Sequence, residues 1–159
     1  MIEIETCSTD ADYRKALAVT RAYTDWLGVD LGFQDIDREL ANFNQVYAPP
    51  RGFYLLAREG VEVAGGVGLR VLGPDSDIAE MKRLYVYDEF KGKGVGEQLC
   101  RVLLDRARGL GYERVRLDTL PVMGSAHKLY EKLGFSAIEP YRHTPVSGAE
   151  YLECDLRGA

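Results

Sequence analysis

The chain has 159 residues, with 20 lysines and arginines against 25 aspartates and glutamates, and a net charge of −5 at pH 7. That length suits one domain, 1–159, with its own core. The acidic balance argues against a dedicated nucleic-acid binder or a docker on acidic membranes. No apolar run is long enough to span a bilayer, and the acidic start "MIEIETCSTDADYRK" lacks a signal-peptide core. Three cysteines, Cys7, Cys100 and Cys154, have no metal-ligand spacing, so no metal is expected and a reduced, cytoplasmic protein fits best.

In chain order, "IEIETC" alternates as a first strand. Thr9, with Asp12 three residues on, reads as the capping box of a helix carrying Ala16, Val19, Tyr23, Trp26 and Leu27 at helical spacing. Ile36, Leu40 and Phe43 mark one shorter helix, which Pro49 and Pro50 close off. "FYLLARE" turns at Gly60 into "VEVAGGVGLRVL", and "GPDSD" turns that into "IAEMKRLYVY", a run of three strands. A helix with Val95, Leu99, Val102, Leu103 and Leu110 on one side follows, then the strand "RVRLDTL". A helix over about 122–133 ends at Gly134, a natural C-cap, and "FSAI" and "EYLECDL" supply two last strands. The order βαα, βββ, α, β, α, ββ predicts an α/β (α+β) domain with a mixed sheet and about four helices.

The stretch "KGKGVG", Lys91 to Gly96, stands between a strand and a helix. The first turn of a helix exposes backbone N–H groups at the positive end of its dipole, and an anion placed there is stabilised. Glycines let the backbone take positive φ and approach a ligand closely. The pattern is neither a P-loop nor the dinucleotide fingerprint, whose third glycine would come one residue later. By itself the stretch reads as a phosphate cradle or as a glycine-rich turn with solvated lysines.

Its surroundings, "RLYVYDEFKGKGVGEQLCRVLLDRARGLGYERVRLDT", resemble the acetyl-CoA-binding core of the GNAT acyltransferase superfamily. Lys91 to Gly96 fill the family's [RQ]-x-x-G-x-[GA] signature, with lysine at its first position. "SAHKLYEKLGF" is similar to the family's A-x-x-x-Y-x-x-x-G-F element, through Ala126, Tyr130, Gly134 and Phe135. The resemblance implies two parallel strands, near Leu84–Tyr87 and Val115–Thr119, that splay apart around the thioester. It implies that amides near Leu84, Tyr85 and Val86 pair with the pantetheine arm. The amides of Gly92, Lys93, Gly94, Val95 and Gly96 would hold the pyrophosphate, assisted by Lys91 or Lys93.

The same resemblance makes Glu80 the candidate general base or amine-binding group and Tyr130 the candidate general acid. Even spacing would put Glu80, Leu84 and Val86 on one face of their strand. Arg70 and Arg83, on central strands, would bind an acceptor carboxylate or form structural ion pairs. Trp26, Phe33 and Phe43 read as core, or as cover for the acceptor cleft. Met123 would share the core face of Tyr130. His127 and His143 are isolated, and "PYRHTP", Pro140 to Pro145, could line the acceptor site. The expected function is transfer of an acetyl group from acetyl-CoA to a primary amine, of a small metabolite or amino acid rather than a protein. The rivals are a non-catalytic acyl-CoA-binding module and a nucleotide binder on another fold. The resemblance leaves a homodimer open; nucleic-acid and membrane partners are not expected.

Overall fold

The structure is a computed structural model that describes residues 1–28, 35–73, 76–120, 124–142 and 144–157, with Gly124 and Ser125 described by backbone alone. Phe33, Met123 and His143 lie outside the described residues.

Thr9 caps the first long helix as the sequence requires. Asp12 N–H donates to Thr9 Oγ1 at 3.1 Å, and Thr9 N–H donates to Asp12 Oδ2 at 3.2 Å. Helix α1 (Asp10–Leu27) buries Tyr13, Ala16, Val19, Tyr23 and Leu27 and stops at Gly28, whose φ is 66°. The single short helix expected next is two, α2 (Ile36–Ala41) and α3 (Phe43–Val46), so the described residues form five helices. Asn42 divides them: its φ is −122°, and its side-chain amide donates back to the Arg38 carbonyl at 3.0 Å. Such local hydrogen bonding competes with helix continuation.

Strands β1 (Ile2–Thr6), β2 (Phe53–Glu59), β3 (Glu62–Val71) and β4 (Ile78–Val86) pair antiparallel in sequence order. A 3-10 turn at Asp88–Phe90 leads towards helix α4 (Val95–Gly109), and strand β5 (Arg114–Thr119) follows. Helix α5 (Gly124–Lys132) and strands β6 (Ser136–Ile138) and β7 (Glu150–Asp155) complete a seven-stranded sheet of order β1-β2-β3-β4-β5-β7-β6. Among the described strands only β4 and β5 run parallel, in accord with the expected mixed sheet.

Alternation along β2 divides the core. Phe53, Leu55 and Ala57 face a cluster with Leu99, Leu103 and Tyr130, while Tyr54 and Leu56 face Tyr13, Ala16, Val19 and Phe43. Cys100 and Cys154 are buried in the first cluster, and all three cysteines are free thiols. Leu110 departs from expectation: α4 ends one residue before it, and it is exposed.

Two irregularities open the sheet at its centre. Strands β4 and β5 pair only from Ile78–Glu80 against Arg114–Arg116, so beyond Glu80 they part. In addition, β4 carries a bulge. Gly68 faces Lys82 and Gly66 faces Tyr85, two steps on β3 against three on β4, and Arg83 takes a φ of 62°. An extra residue reverses which side chains face which way. Leu84 and Val86 therefore pack with Ala79 and Met81, and the expectation that Glu80 shares their face is corrected. Tyr85 instead packs against the α1 side, and Tyr87 touches both clusters.

Candidate active site

A cleft of about 330 Å³ opens where the strands part. Its walls are Leu84, Tyr85 and Val86 of β4, Ala126, Leu129 and Tyr130 of α5, and Tyr23 and Trp26 of α1, with Lys91, Gly92 and Gly96 at one end. The register that pairs β4 with β5 ends at Glu80, so the β4 edge at Leu84, Tyr85 and Val86, which lines the cleft, faces open space suited to another extended chain. At the end of the cleft, Gly92 and Gly94 have φ of 82° and 75°, and a Cβ on either would meet nothing within 4 Å. Gly94 is the N-cap of α4 and no side chain caps that helix, so its first amides are left for a ligand. A long extended amide with an anionic end fits these groups.

The residues expected to hold this ligand do different jobs. Val95 buries its side chain in the core and offers only its amide. Gly96 is helical; an added Cβ would touch Leu129 at 3.7 Å and Val86 at 3.9 Å, narrowing the cleft without a clash. Lys91 lines the cleft, pairs with Asp88 at 2.9 Å and lies 5.6 Å from the Trp26 ring. Lys93 turns towards Glu59, at 3.8 Å.

A second cavity, of about 30 Å³, adjoins the first and shares Tyr23, Leu84 and Tyr130 with it. Its other walls are Met81, Lys82, Arg83, Leu117 and Asp118. It thus lies between the splayed strands, and Tyr130 stands where the two spaces meet. The chain end of α5 fixes Tyr130: Phe135 N–H donates to its carbonyl at 3.0 Å, and the two rings pack 5.7 Å apart. Burial pushes the Tyr130 phenol well above its ordinary value, so it keeps its proton.

Glu80 has no exposed surface. Its Oε1 accepts from Arg70 Nε and Nη2, both at 3.2 Å, and lies 3.8 Å from Lys82 Nζ. Its Oε2 accepts from Tyr141 Oη at 2.8 Å and pairs with Arg142 Nη2 at 2.5 Å. Burial would raise its pKa, but Lys82, Arg142 and Arg70 outweigh that and hold the carboxyl below its ordinary value. A carboxylate so engaged has no open lone pair for an acceptor's ammonium. The geometry does not support Glu80 as the direct base; it supports an anchor for three cations.

Arg83 and Arg70 take the ion-pair alternative. Arg83 donates from Nε to Glu39 Oε2 at 3.1 Å and from Nη2 to Oε1 at 3.0 Å, and Tyr47 Oη donates to Oε2 at 2.8 Å. Tyr47 fits because β3 has glycine at 68; a Cβ there would stand 2.4 Å from its ring. His127 sits between Glu131 and Glu150 at the surface, away from the cleft lining. Phe43 is core, whereas Trp26 is partly exposed on the cleft.

Comparison with known proteins agrees with this geometry. The sequence pattern of the acetyltransferase (GNAT) family matches residues 17–135. An uncharacterised N-acetyltransferase of Schizosaccharomyces pombe is 35% identical over 156 residues, 98% of this chain and 95% of that one. The chain belongs to the GNAT acetyltransferase family. It is an acetyl-CoA-dependent N-acetyltransferase that acts on amines. The N-acetylaspartate synthetase of Rattus norvegicus is 35% identical over 112 residues, 69% of this chain and 37% of that one. A GNAT acetyltransferase of Staphylococcus aureus shares the fold, with a TM-score of 0.79 at 17% identity over 99% of this chain and 100% of that one.

Several residues of this GNAT site carry no motif signal: Tyr23, Glu39, Lys82 and Asp118. Lys82 and Asp118 stand on strands where an isolated charge reads as an error or a function. That signal was available for both. Tyr141 and Arg142 lie in "PYRHTP", the loop expected near the acceptor, and the structure brings both against Glu80.

Proposed function

We propose that this GNAT enzyme acetylates the primary amine of a small, carboxylate-bearing metabolite such as an amino acid, by direct attack on the acetyl thioester. The observation that carries this reading is the small cavity between β4 and β5, joined to the cofactor cleft at Tyr130 and walled by buried charged groups. A space of about 30 Å³ has room for an acceptor's amine group. Arg142 supports an acidic acceptor. Its Nη1 is a buried donor without a hydrogen-bond partner, 3.6 Å from Asp118, which lines the cavity. The likeness to N-acetylaspartate synthetase over 69% of the chain points the same way.

In this reading the amides of Gly92 to Gly96 hold the pyrophosphate and the unpaired edge of β4 holds the pantetheine arm. Tyr130 gives its proton to the departing sulfur. Thiol release from acetyl-CoA over a panel of amino acids, polyamines and peptides tests it. Amino acids should show the highest kcat/KM; release with peptides alone would overturn it.

A further inference from the structure

We propose that Lys82, rather than Glu80, takes the proton that the acceptor amine must lose before it attacks. This rests on the acyl-transfer reading above and assigns one further catalytic residue to it.

An ammonium has no lone pair, so a base must stand within reach of the nitrogen. The nitrogen must lie between the splayed strands, where the small cavity meets the cofactor cleft. Five ionisable side chains line that cavity: Tyr23, Lys82, Arg83, Asp118 and Tyr130. Arg83 keeps its charge at any working pH and is paired with Glu39. Tyr130 and Tyr23 keep their protons, burial pushing the Tyr23 phenol to about 12. Lys82 and Asp118 remain, and Asp118 faces the Arg142 guanidinium at 3.6 Å.

Lys82 is set there by the strand. It directly precedes Arg83, the bulged residue, and stands on the part of β4 that has lost β5. Its side chain is 2% exposed. The charged and titratable groups that face or surround it are Glu80 and Arg83 on β4, Arg70 on β3 and Asp118 on β5. Arg142 and Tyr141 come from the loop after β6, Glu39 from α2, Tyr23 from α1 and Tyr130 from α5. Burial first, then Arg83, outweighs Glu80 and Asp118 and brings the Lys82 pKa from 10.5 to about 7. An appreciable share of Lys82 is then a neutral amine at neutral pH, with a lone pair to offer. Glu80 becomes a positioning residue that balances Arg70 and Arg142 around it.

The step balances. Lys82 Nζ takes one proton from the acceptor's ammonium and later returns it to solvent. The freed nitrogen lone pair bonds to the acetyl carbon, and the carbon–sulfur bond breaks with its electron pair left on sulfur. The nitrogen loses its second proton as the amide forms; that proton passes to the Tyr130 oxygen, which has given its own to the sulfur, so the phenol is restored.

The test compares Lys82→Met, Lys82→Arg and Asp118→Asn with the unaltered enzyme. Methionine keeps the length without a charge, and arginine keeps the charge without a usable lone pair. Both Lys82 variants should lose about 10²–10⁴-fold in kcat, with the acetyl-CoA Kd unchanged. The rise in kcat/KM through an ionisation near pH 7 should vanish in both and survive in Asp118→Asn. Full activity in Lys82→Arg would mark a role for charge alone and overturn the proposal, as would loss of that ionisation only in Asp118→Asn. A readout independent of turnover is the NMR titration of ε-¹³C-lysine in the free enzyme. One resonance, absent from Lys82→Met, should titrate near 7. A Lys82 resonance that titrates near its ordinary 10.5 overturns the inference whichever amine is accepted. A silent amine panel would strike at the proposed function instead.

Discussion

The cofactor cleft and the acceptor cavity share Tyr23, Leu84 and Tyr130, yet they are built on opposite principles. The cleft relies on main-chain groups: the uncapped start of α4, glycines at positive φ and the unpaired edge of β4. Its lysines are half-exposed, so water screens them. The cavity relies on side chains drawn from separate elements. Glu39 comes from α2, Arg70 from β3, Glu80, Lys82 and Arg83 from β4, Asp118 from β5, and Tyr141 and Arg142 from the loop after β6. Buried charges hold one another in place only as a set, and each is costly once a partner is gone. In the proposed reading, a cofactor common to a whole family is thus met by backbone, whose geometry tolerates changes of side chain. The acceptor end is a charge network in which single substitutions have large effects.

Tyr130, at the junction, should give the largest effect. Tyr130→Phe removes only the hydroxyl from a ring packed on Phe135. Turnover should fall by about 10²–10⁴-fold, while acetyl-CoA affinity by calorimetry stays within about two-fold, because the cleft walls are intact. Unchanged turnover would detach Tyr130 from the proton transfer and leave it a cleft wall.

Glu80→Gln breaks the network from its centre. It leaves Arg70, Lys82 and Arg142 with less compensating charge in a buried place, and should cost about 3–5 kcal/mol in urea unfolding. The pH dependence has a definite sign. The cations hold the folded Glu80 carboxyl below its unfolded value of 4.5, so its stabilisation is present above about pH 4.5 and fades as the pH falls towards the lower folded value. Between pH 7 and pH 3 the difference in stability between the two proteins should shrink. A difference that stays constant would mean that packing, not charge, is what the substitution removes.

The contrast between the two regions also explains what could be read from the sequence. The cleft was legible because its parts are contiguous: a strand, three glycines and a helix in one stretch, and Tyr130 with Gly134 and Phe135 in another. The splay of β4 from β5 followed from the family resemblance that these motifs carry. The bulge at Arg83 was not legible, because no glycine announces it; its positive φ is held by the buried pair with Glu39. Even spacing along β4 consequently put Glu80 on the wrong face. Sequence alone left Arg70 and Arg83 between carboxylate binding and ion pairing, since Glu39, which pairs with Arg83, lies 44 residues away. Likewise, a charged residue such as Lys82 gains its chemistry from burial, and burial depends on elements far along the chain.

Smaller effects should appear on the cleft side, and they separate backbone from side chain. Gly94→Ala forces an alanine into a left-handed conformation at φ 75°, a cost of about 1–2 kcal/mol to the fold. If the turn relaxes to avoid that strain, the first amides of α4 move and acetyl-CoA affinity falls with stability. Gly96→Ala, at a helical position with room for a Cβ, should leave stability alone while weakening acetyl-CoA binding, since the methyl occupies cleft space between Leu129 and Val86. Lys93→Ala sets the lower bound. The Lys93 ammonium is 3.8 Å from Glu59 and half-exposed, which makes the pair worth no more than about 1 kcal/mol. If backbone amides hold the pyrophosphate, acetyl-CoA affinity should drop less than about three-fold at physiological salt and less still at high salt, where the Debye length is about 3 Å at 1 M. A ten-fold loss that persists at high salt would show a direct contact between Lys93 and the cofactor. The cleft would then share the acceptor cavity's dependence on a single side chain, and the division between the two regions would fall.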